Sequence, residues 1–358
     1  MLAANAPPRY PRGVRPTHPA PPRVLGCYPP TADPLAAADG PVLVAVCGAH
    51  GNEPAGVDAV REILAGLTAA QPRARGRFVA VTGNRAALAR GVRYVDADLN
   101  RLWTDDAVRD LTDHGSRSAI DGSGGIQGGV EAAEQAELFA TLAAITGDRD
   151  AHGSGDVHHG RVSILDLHTT SAPSAPFAIA LPTVPNRRLL AGVPLPLVHG
   201  LEGRLTGTLS SWLARAGHAA LSVEGGQHVE ASSVRHLVHV LWLALANGGV
   251  LDRRDVAWAA NAAALRTARA GRPAGVTVAY RHPVGRGDGF RMRPGLESFQ
   301  RVRKGAVLAE THAGPVAAPL GGVLLFPLYQ GLGDDGFFIA RRIDTRWPHV
   351  APQQEGLA

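Results

Sequence analysis

The chain has 358 residues, 45% of them apolar and 19% charged, which is typical of a globular protein with a large core rather than a disordered one. Its formal net charge is +5, but the arginines are scattered and Lys304 is the only lysine. This distribution lacks the clustered basic footprint of a nucleic-acid-binding protein, and we predict no nucleic-acid partner.

Cysteine content and hydropathy argue against a disulfide-rich, membrane or secreted protein. Cys27 and Cys47 are too few for a disulfide framework, and Cys47 lies in an apolar run where a thiol acts as a small hydrophobe. No stretch approaches the roughly 18 apolar residues of a membrane span. Residues 1–23 lack the apolar segment of a signal peptide. We therefore predict a cytoplasmic protein without a membrane partner, and a homo-oligomer remains open.

The first part of the chain alternates strand and helix patterns. Residues 1–35 are rich in proline and arginine and are expected to form an extended arm. Val42–Val46 is a continuous apolar run, Pro54–Leu67 has apolar residues at helical spacing, and Phe78–Thr82 is another short apolar run. This alternation predicts a mostly parallel sheet, whose ligands gather outside the carboxyl ends of its strands.

The middle of the chain adds loops, helices and a strand. Residues 113–129 and 147–160 are predicted surface loops, and the second contains His152, His158 and His159, for which a solvated loop is favoured over a metal site. The remaining predicted elements are three helices and one strand: Val130–Ile145, Leu205–Ala216, Val229–Asn247 and the strand Ala219–Val223.

The composition changes after about residue 265 to short β-rich segments separated by Gly and Pro. We therefore predict an arm at 1–35, an α/β domain at 36–262 and a smaller all-β domain at 263–358. The predicted fold class is α/β, with a mixed, mostly parallel sheet flanked by helices.

Three side chains at the ends of predicted strands suggest a metal site. His50 and Glu53 follow the first apolar run in a Gly-rich turn, and His168 closes the run Val162–Leu167. Two imidazoles and one carboxylate are the ligands of a catalytic zinc, which keeps one position open for water. A His-x-x-Glu pair alone is weak evidence in a chain with 15 histidines. Two such elements at neighbouring strand ends predict one zinc ion (Zn2+) per chain, although the ligand set leaves cobalt and nickel open.

Four motifs then carry a resemblance. Gly48–Glu53, Asp98–Arg101, Asp166–Thr170 and Val223–Gly226 occur in this order. With them the chain resembles the succinylglutamate desuccinylase/aspartoacylase family, a branch of the zinc-carboxypeptidase-like fold, over roughly residues 40–340. The resemblance implies hydrolysis of the amide bond of an N-acyl amino acid, so that the partner is a small molecule.

The resemblance also implies residue roles. His50, Glu53 and His168 match the zinc ligands. Glu224 matches the general base that deprotonates the attacking water and then protonates the leaving amine. Arg93 matches the arginine that points at the scissile carbonyl and stabilises the oxyanion.

Further positions match substrate-binding residues. Asn100 and Arg101 match residues that hold the α-carboxylate, for which a planar guanidinium is suited. Tyr329 matches a tyrosine that reaches the site from the β domain, with a core or hinge position as the alternative. Asp166 shares a strand face with His168, and we expect it to support that ligand.

One departure concerns the substrate side chain. Aspartoacylases have another arginine about ten residues before the catalytic glutamate, where this chain has Ala214. Arg204 and Arg215 are the nearby alternatives, and the sequence does not choose between them. The leading hypothesis is thus a zinc-dependent deacylase of an unspecified N-acyl amino acid. The alternatives are a metallocarboxypeptidase and a non-catalytic metal-binding protein of the same fold.

Overall fold

A computed structural model describes residues 19–36, 38, 40–114, 129–147 and 162–348. Within these ranges, no helix is both long and apolar enough to span a bilayer. Several predictions fall wholly or largely outside the described residues: the start of the arm at 1–18, both surface loops, and His152, His158 and His159.

The described strands form two sheets. The strands are β1 (Val24–Tyr28), β2 (Val42–Cys47), β3 (Arg77–Thr82), β4 (Val162–Thr170), β5 (Phe177–Ile179), β6 (Leu197–His199), β7 (Ala219–Gln227), β8 (Gly275–Pro283), β9 (Arg291–Met292), β10 (Arg301–Val302), β11 (Val307–Thr311), β12 (Gly314–Ala317), β13 (Gly322–Leu325) and β14 (Asp335–Ile343). The larger sheet has the order β1-β3-β2-β4-β7-β5-β6-β8-β14-β13-β10, and the smaller has β12-β11-β9. The adjacent strands β3, β2, β4 and β7 are parallel.

Helices pack on both faces of this sheet. They are α1 (Ala55–Ala70), α2 (Arg85–Arg90), α3 (Asp105–His114), α4 (Val130–Thr146), α5 (Val184–Leu189), α6 (Leu209–Arg215), α7 (Ala231–Asn247) and α8 (Trp258–Ala268). Alternate residues of β2 enter opposite cores, because successive side chains of a strand point to opposite faces. Leu43 packs with Ile63 of α1 and Leu241 of α7, whereas Val44 packs with Leu138 of α4. The predicted mixed sheet flanked by helices is confirmed.

The edge strand β1 was not predicted. Val24–Tyr28 lies inside the segment expected to be an extended arm, and it pairs antiparallel with β3. It is short and half-buried, and prolines at 21, 22, 29 and 30 bracket it. A five-residue strand between prolines has too little apolar periodicity to separate it from an arm.

The large sheet continues across the predicted domain boundary at residue 262. Strand β6 pairs in parallel with β8, with Val198 opposite Val276. Strands β8, β14, β13 and β10 therefore extend the same sheet, and β9, β11 and β12 form the separate antiparallel one. A third core joins both parts, because Phe177 and Val198 pack with Val276 and Phe338.

Candidate active site

The predicted site lies at the carboxyl ends of β2 and β4. These neighbouring strands are parallel, with Cys47 opposite Leu167, so that the segments following them leave the sheet at the same edge. The turn after β2 requires glycine. Gly48 has φ +69°, and a Cβ on Gly51 would lie 2.0 Å from the backbone carbonyl carbon of Ala87. This tight turn places His50 beside His168, with ring centroids 5.1 Å apart.

His50, Glu53 and His168 converge on one point. Nδ1 of His50 lies 2.8 Å from Glu53 Oε1, and Nδ1 of His168 lies 3.2 Å from Glu53 Oε2. All three side chains are buried, and one ligand atom from each lies within 4.8 Å of the others. Two imidazoles and a carboxylate at this spacing fit a zinc ion.

The outer nitrogens of both histidines face carboxylates. His50 Nε2 lies 3.0 Å from Asp98 Oδ1, and His168 Nε2 lies 2.9 Å from Asp166 Oδ2. The second contact is an ion pair when the His168 ring is protonated. Carboxylates in this position orient metal-ligating histidines and raise their basicity. The structure therefore places Asp166 where its predicted supporting role requires it.

Arg93 lies between two carboxylates at the same site. Its Nη2 donates to Asp98 Oδ2 at 2.9 Å, and its Nη1 lies 3.5 Å from Glu53 Oε1. Burial disfavours ionisation of Asp98, but His50 and Arg93 outweigh it and hold the pKa of that carboxyl well below its usual range. Asp98 is thus an anion, and Arg93 is a fixed cation beside the candidate metal ligands.

Glu224 enters from the neighbouring strand β7. Its Cα pairs with that of His168, so the two residues lie side by side at the strand ends. The side chain is buried, and its Oε2 has no hydrogen-bond partner among the described residues. Burial raises the pKa of Glu224 to about 8, with Glu53 adding to the shift and His168 opposing it. A pKa near neutrality suits a group that must both accept and donate a proton.

The Asp98–Arg101 motif forms a 3₁₀ turn (Leu99–Arg101) over the site. Asn100 Nδ2 lies 3.4 Å from His168 Nε2, and its Oδ1 accepts a hydrogen bond from Leu209 N at 2.9 Å. Arg101 Nη2 donates to Asp335 Oδ2 at 2.9 Å. Asn100 is therefore fixed against α6, whereas Arg101 is joined to the β-rich region.

One cavity gathers most of the predicted site residues. Its empty space, with the open mouth included, is about 950 Å³. Seven predicted residues line it: His50, Glu53, Arg93, Asn100, Arg101, His168 and Glu224. Two arginines considered for the substrate side chain do not line it. Arg204 donates to the carbonyl oxygen of Ala279, and Arg215 is exposed on α6.

Tyr329 also lies outside the cavity lining. Its hydroxyl donates to the carbonyl oxygen of Arg293 and accepts from Leu296 N at 2.9 Å. The next side chain, Gln330, does line the cavity and accepts a hydrogen bond from Asn52 Nδ2 at 2.8 Å. The β-rich region thus contributes Gln330, among other residues, to the cavity, and a substrate contact by Tyr329 stays a prediction.

Two contributors were missed by sequence reasoning. The Glu131 carboxylate accepts the backbone N–H groups of Val95, Asp96 and Ala97 at 2.6, 2.9 and 3.1 Å. It thereby fixes the segment that joins Arg93 to Asp98. A glutamate in the first turn of a helix carries no sign of such a remote partner.

His228 is the second missed residue. It lines the cavity, with Nδ1 2.8 Å from Thr169 Oγ1 and Nε2 3.2 Å from Gln330 Oε1. Burial lowers the pKa of His228, which favours the neutral ring. Its position four residues after Glu224, at the end of the same strand, was the available signal.

Sequence comparison finds similar proteins for part of the chain. Residues 39–119 match the model of the succinylglutamate desuccinylase/aspartoacylase catalytic domain. A succinylglutamate desuccinylase of Pseudomonas fluorescens is 31% identical over 86 residues, which cover 24% of this chain and 26% of that protein. One of Pseudomonas syringae pv. tomato is 36% identical over 70 residues, or 20% and 21% of the two chains. The aligned segments thus span about a quarter or less of these curated relatives.

Structure comparison extends the likeness to most of the chain. A succinylglutamate desuccinylase from Vibrio cholerae superposes with a TM-score of 0.58 at 18% identity, covering 87% of this chain and 84% of that one. Murine aminoacylase 3 gives a TM-score of 0.54 at 19% identity, with 87% and 97% coverage. At these identities the structures show a shared fold. Together with the matched catalytic-domain model, they confirm the predicted resemblance of this chain to the succinylglutamate desuccinylase/aspartoacylase family.

Proposed function

We propose that this protein is a zinc-dependent hydrolase that cleaves the amide bond of a small N-acyl amino acid. The observation that carries the proposal is the gathering of His50, Glu53 and His168 with Glu224 and Arg93 in one cavity. These groups comprise a metal-ligand set, a proton-transfer group and a fixed cation, which amide hydrolysis requires. The matched catalytic-domain model and the names of the curated relatives support the same reaction class.

His50, Glu53 and His168 would hold the zinc ion through both Nδ1 atoms and the Glu53 carboxylate. When bound, such an ion lowers the pKa of water and polarises a carbonyl oxygen. Asp98 and Asp166 hold the two imidazoles from the opposite side. The metal-binding geometry is therefore supported by buried carboxylates that belong to this chain.

The remaining residues divide the reaction between them. Glu224 takes a proton from the attacking water as the C–O bond forms, and it returns that proton to the amide nitrogen as the C–N bond breaks. Arg93 compensates the negative charge that develops on the carbonyl oxygen. Asn100 and Arg101 orient the substrate through its α-carboxylate. The products are a carboxylic acid and a free amino acid.

Metal analysis and an amine-release assay test this function together. We expect about one zinc per purified chain by the three-ligand argument. Amine release is measured on acetyl, succinyl and formyl derivatives of acidic, neutral and basic amino acids. Chelation should abolish release, and added zinc should restore it.

The Glu224→Gln variant tests the assigned proton transfer. It should keep its zinc and lose at least about 100-fold in kcat, the range for a general acid–base group. Glu62→Gln, on the exposed face of α1, is the control and should match the wild type. Retained turnover in Glu224→Gln would contradict the assigned role. If the protein released C-terminal residues from peptides but no amine from N-acyl amino acids, it would be a metallocarboxypeptidase. If it bound zinc but turned over neither substrate class, it would be a non-catalytic metal-binding protein.

A further inference from the structure

We infer that the substrate carries a single carboxylate on an otherwise apolar body, and that Asp335 enforces this choice by cancelling one of the two positive charges of Arg101 and Arg281. The inference rests on the proposed function, since it concerns which N-acyl amino acid the same cavity accepts. It is carried by the pairing of the cavity arginines, by nearby carboxylates and by an apolar wall.

The guanidinium groups in the described cavity lining are already paired. Arg93 is bound to Asp98, and Arg101 is bound to Asp335. Asp335 also accepts a hydrogen bond from Nε of Arg281, which lies behind it on β8. The Arg93 pair carries no net charge, whereas Arg101, Asp335 and Arg281 together carry one positive charge. This sum matches one substrate carboxylate and leaves no cation for a second.

Carboxylates in the same lining oppose a second negative charge. Glu202, Asp334 and Asp335 all line the cavity; Glu202 and Asp335 are half-buried, and Asp334 is exposed. Like charges brought together in a partly desolvated site disfavour binding strongly. Arg204 and Arg215 lie outside the lining. A substrate with an acidic side chain would therefore be repelled by these carboxylates.

The cavity lining also has an apolar part, which we call the apolar wall. It consists of six residues: Ile179, Leu201, Leu205, Phe326, Leu328 and Phe338. Ile179, Leu205 and Phe326 are only partly buried and rest on the third core of the protein. A preformed apolar surface of this kind binds an aliphatic or aromatic group by removing it from water.

The test uses three nearly isosteric ligands: N-acetyl-leucine, N-acetyl-asparagine and N-acetyl-aspartate. Their dissociation constants are measured by calorimetry on the zinc-loaded Glu224→Gln protein, which holds the ligand without cleaving it. Values of kcat/KM are measured on the wild type. We expect the leucine derivative to be preferred over the aspartate derivative by at least about 10-fold in both measurements, as for an apolar pocket. The asparagine derivative should fall between them.

Replacement of Asp335 should change this order. Asp335→Asn removes the negative charge that offsets Arg101 and Arg281, and we expect the preference for leucine over aspartate to fall about 10-fold, mainly because the aspartate derivative binds better. The control is Glu310→Gln, which breaks an exposed pair with Arg293 in the same region but does not line the cavity. If Asp335→Asn does not fold, Glu202→Gln removes a second lining carboxylate, and the preference should fall in the same direction by a smaller factor.

The outcomes separate the two proposals. Three results would overturn the single-carboxylate inference. The wild type could prefer the aspartate derivative, the protein could bind none of the three ligands, or the folded variants could keep the wild-type preference. Binding in the expected order without amine release would refute the proposed hydrolysis and leave the inference standing.

Discussion

The floor of the cavity consists of His50, Glu53, Arg93, His168 and Glu224, and it differs in kind from the apolar wall. Floor side chains are largely buried and charged or titratable. Four of them are joined to one another and to Asp98 and Asp166, whereas Oε2 of Glu224, near the end of its strand, has no hydrogen-bond partner in the described parts of the chain. Wall side chains are apolar, and several remain partly open to the cavity.

This difference suggests that the floor serves the reaction and the wall selects the substrate. Replacing one of the four joined floor residues leaves a buried charged or polar group unpaired, which is costly in a site of low dielectric, and replacing Glu224 removes the group assigned to proton transfer. A wall residue can change at the cost of some apolar contact, because its neighbours need no specific partner. We therefore expect floor variants to lose rate and wall variants to change substrate affinity.

Replacement of Arg93 is the strongest test of the floor. Arg93→Met removes the cation assigned to the developing oxyanion, and kcat should fall by about 100- to 1000-fold, the range for loss of such a donor. The KM should change much less, because the ground-state carbonyl carries little charge. Steady-state kinetics with zinc content measured in parallel gives both values.

Arg93→Lys serves as the matched comparison. It keeps the charge but loses the planar fork that reaches Asp98 and Glu53 together, so its kcat should be intermediate. If Arg93→Met instead raised KM and left kcat normal, Arg93 would belong with the substrate-selecting residues and not with the floor.

Glu131 tests whether the floor depends on support from outside the cavity. Glu131→Gln removes the charge from a buried carboxylate that accepts four hydrogen bonds, one from Asn84 and three from residues 95–97. Hydrogen bonds to a charged group contribute about 1.5–3 kcal/mol, so we expect a loss of about 2 kcal/mol in the free energy of unfolding. Glu137→Gln, on the exposed face of the same helix, should cost under about 1 kcal/mol.

The effect of Glu131 should depend on pH. Burial opposes its ionisation, but the hydrogen bonds from Val95, Asn84, Asp96 and Ala97 prevail and lower the pKa of this carboxyl. A lowered pKa in the folded state stabilises the protein above the unfolded-state value of about 4.3, and this contribution disappears as pH falls through the folded-state value. Urea unfolding should thus show a constant gap between wild type and Glu131→Gln from pH 7 to 5. A gap that persists unchanged at pH 3 would contradict an ionic role.

The same contrast explains what the sequence could predict. The floor was predictable because parallel strands bring their carboxyl ends to one edge, so that His50, His168 and Glu224 had to meet once their strands were recognised. The register of β2, β4 and β7 is consistent with that geometry. The family resemblance then placed Arg93 and Arg101 in the same site.

The wall was not predictable, because its residues come from loops and strands far apart in the chain. Leu205, Phe326 and Phe338 share no periodic pattern, and their neighbourhood depends on the β6–β8 pairing that joins the two predicted domains. The pairing of Arg101 with Asp335 spans 234 positions and has no local signal. Long-range contacts of this kind require the fold itself.

Leu205 gives the smallest expected effect and tests the wall directly. Leu205→Ala removes an apolar group that is only partly buried, so the free energy of unfolding should fall by under about 1.5 kcal/mol. The KM for N-acetyl-leucine should rise about 10-fold at nearly constant kcat, since an apolar contact acts equally on substrate and transition state. Leu332→Ala, which is exposed and outside the cavity lining, should leave both constants unchanged. If kcat fell instead while KM stayed constant, Leu205 would contribute to the geometry of the floor, and chemistry and selectivity would not be separable in this cavity.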